Sequence, residues 1–66
     1  MNKRYFVSFG VIPENEHHYI LNSIEIDTPE MIVEDMSPGM LAEHLEREVS
    51  DAIDAPSVVI LNYWEI

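Results

Sequence analysis

Tyr5, Val7, Phe9 and Val11 alternate with Phe6, Ser8, Gly10 and Ile12. This period of two, rich in aromatic and β-branched residues, predicts a strand over about residues 3–12. The polar, proline-led run Pro13-Glu-Asn-Glu-His-His18 predicts a hairpin loop. A second strand follows over about residues 19–27, with Ile20, Asn22, Ile24 and Ile26 on one face and Tyr19, Leu21, Ser23 and Glu25 on the other. Asp27-Thr-Pro-Glu30 carries the marks of a helix start, with Asp or Thr as N-cap and Glu30 placed for a capping box. Met31-Ile-Val-Glu34 is too short to sustain one, so residues 28–36 are expected to form a turn or a single irregular helical turn.

Ser37-Pro38 repeats the start signal, and from there the spacing becomes helical. Leu41, Leu45, Val49 and Ala52 fall on one stripe with Ala42 and Ile53 at its edge, predicting a helix over about residues 37–54. Pro56 ends it, because the residue before a proline is pushed out of helical geometry. The run from Ser57 to Ile66 predicts a third strand, apolar on both faces at its start. Residues 1–66 therefore read as a single domain, a two-layer α+β fold of ββαβ order with one helix on one face of a three-stranded, mainly antiparallel sheet. Strand order 2-1-3 is favoured, because the first strand has the most apolar inward face.

A single helix covers one side of such a sheet. If Tyr5, Val7, Phe9, Ile20, Ile24 and Ile26 meet it, then Phe6, Ile12, Tyr19 and Leu21 face away. The last strand adds either Val59, Leu61 and Tyr63 or Val58, Ile60, Trp64 and Ile66. Contiguous exposed apolar side chains of this size mark an interface. The expected contact residues are Phe6, Tyr19, Leu21, Tyr63 and Trp64, with a homodimer the simplest form and a protein partner the other.

Charge narrows the partners. Thirteen Asp and Glu face three Lys and Arg, for a formal net charge of −10. Phosphate binding draws its affinity from Lys and Arg, so direct nucleic-acid binding is not expected, nor is binding to an anionic membrane. No apolar run approaches the ~20 residues of a membrane helix, and the basic-then-apolar start lacks a cleavage motif; a cytoplasmic protein is expected. Residues 25–54 hold ten of the acids against Arg47 alone. The alternative function is thus an acidic mimic of nucleic acid that blocks a basic protein, through Glu43, Glu46, Asp51 and Asp54.

Catalytic chemistry finds little support. There are no cysteines, which removes disulfides and thiolate metal sites. Glu14, Glu16, His17 and His18 crowd one loop, but adjacent histidines point apart and no third convergent ligand is evident; no metal and no cofactor are expected. His44 reads as a boundary residue paired with Glu48 one turn on. No serine has a nucleophile-elbow context, two glycines are too few for a phosphate loop, and so small a domain leaves little room for a ligand pocket of ~300 Å³. The chain is not expected to be an enzyme.

Lys3-Arg-Tyr-Phe-Val-Ser-Phe9, Ile32-Val-Glu-Asp-Met36 and Val58-Val-Ile-Leu-Asn-Tyr-Trp64 together resemble a group of uncharacterised proteins of about sixty residues found in phages and prophages. The resemblance implies a phage or prophage origin and a ββαβ pattern. It implies no activity and assigns no functional residue. Glu16-His17-His18 departs from it, standing where that group more usually has a glycine-rich turn.

Overall fold

In the computed structural model, which describes residues 1–13, 20–55 and 57–66, the chain runs β1 (Asn2–Val11), β2 (Ile20–Pro29), α1 (Glu30–Val33), α2 (Pro38–Ile53), β3 (Val58–Glu65). The sheet order is β2-β1-β3, and both neighbouring pairs are antiparallel. This is the predicted α+β fold with an open sheet. β1 takes the centre because Tyr5, Val7 and Phe9, all buried, need neighbours on both sides and a helix above.

Helix α2 lies over that buried row. Leu45 and Val49 are its innermost residues, and they share a core with Tyr5, Val7, Phe9, Ile26, Val33 and Val58. Leu41 and Ile53 pack against this core, whereas Ala52 is exposed. The working stripe is therefore the i, i+4 row 41-45-49-53, and Ala52 leaves the position predicted for it. Ser37 caps the helix by accepting a hydrogen bond from the Met40 amide at 3.3 Å, with Pro38 in the first turn, where its missing N–H costs nothing. At the other end Asp54 adopts a left-handed conformation, φ 54°. Ser50 ties this turn down: its carbonyl accepts from the Ala55 amide, and its hydroxyl donates to the Ala55 carbonyl.

Between β2 and α2 the chain makes the short helix α1, which buries Val33. Neither Asp27 nor Thr28 caps it: the N-cap is Pro29, without a side-chain hydrogen bond. β2 instead runs on to Pro29, pairing Lys3 with Thr28 and Asn2 with Pro29. That register turns Thr28 inward, where it is 1% exposed and its hydroxyl meets His44. The hydroxyl that looked like a helix cap belongs to a tertiary contact.

α2 has sixteen residues, about 24 Å at ~1.5 Å per residue, against about 33 Å for the ten-residue β1. The strands overhang the helix at the hairpin end. Ile20, on the helix side of the sheet, is accordingly half-exposed, and β2 buries only Ile26 and Thr28.

Candidate interaction surface

The outer face of the sheet is assembled by register in four rows, each crossing β2, β1 and β3. At the hairpin end Leu21, Gly10 and Val59 are aligned. Next come Ser23, Ser8 and Asn62, then Glu25, Phe6 and Trp64. The last row is Asp27 and Arg4, with Ile66 beside Arg4 through its amide, which donates to the Arg4 carbonyl at 2.8 Å. Rows are about 7 Å apart, so the Leu21–Val59 row and the Phe6–Trp64 row are separated by about 13 Å. The exposed apolar side chains are thus Leu21 and Val59 at one end and Trp64 beside Phe6 at the other, with Leu61, 54% exposed, at the step between them next to the small polar row of Ser8, Ser23 and Asn62.

β3 enters this pattern through an irregularity. Ser8 pairs with Asn62 but Phe9 pairs with Ile60, so Leu61 is an extra residue opposite the Ser8–Phe9 step. Such a bulge reverses the alternation beyond it. Val58, Ile60 and Tyr63 therefore face the helix, while Val59, Asn62 and Trp64 face away. Neither regular alternation expected for this strand is the one adopted.

Tyr63 is consequently misplaced among the expected contact residues. It packs against the core, its ring edge-on to Tyr5 at a centroid distance of 6.4 Å, and its hydroxyl donates to the Pro38 carbonyl at 3.4 Å. Phe6, Leu21 and Trp64 do lie on the outer face. Leu21 is 68% exposed and Trp64 49%, and the Trp64 ring leans on that of Phe6 with centroids 4.8 Å apart. Tyr19 falls outside the described residues, as do Glu14, Glu16, His17 and His18. Val59 belongs to the surface, and only the bulge placed it there.

One end of the sheet carries charge. The Arg4 guanidinium donates to Asp27 at 2.8 Å, and this hydrogen bond, followed by the charges of Asp27 and Glu25, raises the already high pKa of Arg4. Lys3 stands 3.5 Å from Glu65. Both pairs are largely exposed, and such pairs add little stability. Their effect is to occupy two of the chain's three cations.

On the helix layer Glu43, Glu46, Asp51 and Asp54 are all exposed. At 100° per residue they share one face of α2, and Arg47 sits among them. They make one stripe with a cation inside it, not two rows spaced like duplex phosphates. Glu43, Glu46, Arg47, Ser50 and Val58 also line a groove of about 290 Å³ beside β3. A groove of about 400 Å³ lies along Lys3, Arg4, Asp27 and Glu65. Space of ligand size therefore exists, contrary to expectation, but as open, charge-lined clefts rather than an enclosed apolar pocket.

His44 has its closest polar partner in Thr28, with Nε2 and Oγ1 2.7 Å apart. Glu48 lies 3.9 Å from the same nitrogen. A catalytic relay would use the two ring nitrogens for the two partners, and Thr28 is buried beyond reach of a substrate. Among the described residues no three His, Asp or Glu side chains converge to hold a metal ion, and no helix is long and apolar enough to cross a membrane. Compared with protein-family models, curated proteins and solved structures, the chain matches none of them.

Proposed function

We propose that this chain is a non-enzymatic interaction protein that uses the open face of its sheet for self-association or for docking a protein partner. The observation that carries this reading is the exposure of Leu21 and Trp64, with Phe6, on a face that no other described element covers. Leaving such surface wet forgoes about 25 cal/mol per Å², a real loss where total stability is about 3–5 kcal/mol. The resemblance to small phage and prophage proteins supports an accessory factor of that origin. The acidic-mimic alternative draws less support, because Arg47 interrupts the single stripe of acids.

The test compares the wild-type chain with Phe6→Lys and Leu21→Lys. Dimers in sedimentation, or host proteins retained by the wild type, should be lost from both variants. A chain that stays monomeric at high concentration, and retains the same proteins as its variants, overturns the reading.

A further inference from the structure

The sheet has two free edges, β2 and β3, and an unpaired strand edge is a template for a strand of another chain. Hydrogen bonds at one end of the sheet fix which amides lie on those edges. The Glu30 amide donates to the Met1 carbonyl, and the Ile66 amide to the Arg4 carbonyl. Antiparallel partners alternate between hydrogen-bonded and non-hydrogen-bonded pairs. Counting along the register from those two bonds makes Ser8↔Ser23 and Val7↔Tyr63 non-hydrogen-bonded pairs. The Ser23 and Tyr63 N–H groups therefore point away from β1, one on each free edge.

Neither amide is left open. Asn22 Oδ1 accepts from the Ser23 amide at 2.8 Å, and Asn62 Oδ1 accepts from the Tyr63 amide at 2.9 Å. The same local bond thus occurs once on each edge strand, Asn22 reaching its amide from the helix side and Asn62 from the outer side. We propose that Asn22 and Asn62 guard the two edges, each holding an outward amide that an added strand would need. The sheet is thereby kept from extending through a second copy of the chain, whatever partner takes its open face.

The positions of the two bonds matter. Along β2 the outward amides are those of Leu21, Ser23, Glu25 and Asp27, and Pro29 has none. With Ser23 held, the longest open run is Glu25 and Asp27, which also carry carboxylates. Along β3 the outward amides of Val58 and Ile60 are followed by the bulge at Leu61, which breaks the ladder. With Tyr63 held, only Glu65 stays open beyond it. A strand of 5–6 residues needs about three successive outward partners, and among the described residues neither edge offers them. Proline, charge and bulges are known protections of sheet edges. Here the asparagines close the positions which those leave open.

The test is made in the full chain carrying Phe6→Lys, which alters the face at the central strand and leaves both edges as they are. Asn22→Ala and Asn62→Ala are added singly and together, with folding checked by circular dichroism. Alanine is a poor strand former, so any gain in pairing reports the freed amides rather than strand propensity. Relative to unstructured rates, the Ser23 and Tyr63 amides should exchange hydrogen severalfold more slowly than the Glu25 amide, and lose that protection in the corresponding alanine variant. In sedimentation the doubly substituted chain should form oligomers at a concentration at least about tenfold lower than its Phe6→Lys parent. Ser23→Ala, which keeps the amide and its Asn22 partner, should match the parent. Unprotected Ser23 and Tyr63 amides in the parent overturn the proposal, as does a doubly substituted chain no more associated than the parent. Equal association of Ser23→Ala overturns it too, by tracing the effect to lost polar side chains. Association through the face is read separately, from wild type against Phe6→Lys, so either idea can fail without the other.

Discussion

Phe6 and Trp64 stand opposite one another in the β1–β3 register, their rings 4.8 Å apart at the centroids and inclined by 31°. Each shelters the other on a face that no other described element covers, which is why Phe6 is only partly exposed while Leu21, opposite the bare Gly10, is largely exposed. Aromatic pairs of this kind contribute about 0.5–1.5 kcal/mol beyond the area they bury. A double-mutant cycle of Phe6→Ala and Trp64→Ala in urea should return a coupling in that range. Additivity within experimental error would mean that the rings do not rest on each other in solution.

The Thr28–His44 hydrogen bond closes β2 onto α2. Thr28→Val keeps the shape of the side chain and removes the partner of a His44 ring nitrogen. The expected loss is about 1–3 kcal/mol, read from the urea midpoint, with Thr28→Ser close to wild type. A Thr28→Val variant as stable as wild type would show that His44 turns to Glu48 or to water instead.

Asp54 combines two unfavourable features: a left-handed backbone on a residue with a Cβ, and a negative charge at the end of a helix with no basic residue in its last turn. Asp54→Gly relieves both and should raise stability by about 1 kcal/mol, seen as a melting temperature about 4–8 °C higher. A lower melting temperature would indicate that the Asp54 side chain makes a stabilising local contact.

Leu45 lies at the centre of the core with no exposed surface. Leu45→Ala should cost about 2–5 kcal/mol, close to the whole of a ~3–5 kcal/mol domain, and leave the chain largely unfolded by circular dichroism at room temperature. Ala52→Glu should change stability by less than about 0.5 kcal/mol, because Ala52 faces solvent. A large loss from Ala52→Glu would restore it to the buried stripe.

The strands, the helix from Ser37 onward and the strand order were legible because each follows from local pattern. Alternation marked β1 and β2, the leucine spacing marked α2, and the apolar inward row of β1 placed that strand in the middle. The role of Thr28 was not legible, since Asp27-Thr-Pro-Glu30 is also a sound capping sequence. What moved the hydroxyl was the register with Lys3, which no local signal announces.

For the candidate surface, the amino-acid order alone determined that β1 and β2 would turn Phe6 and Leu21 outward, because side-chain direction in a regular strand has a period of two. Which residues of β3 join them was decided only by pairing with β1. The extra residue at Leu61 exists as a bulge only relative to a partner strand, and it sends Val59 and Trp64 to one side and Tyr63 to the other. Likewise the neutral row Ser8, Ser23 and Asn62 comes together from three distant segments. The make-up of the outer face is therefore a property of the folded sheet, set by hydrogen-bond register rather than by any one stretch of chain.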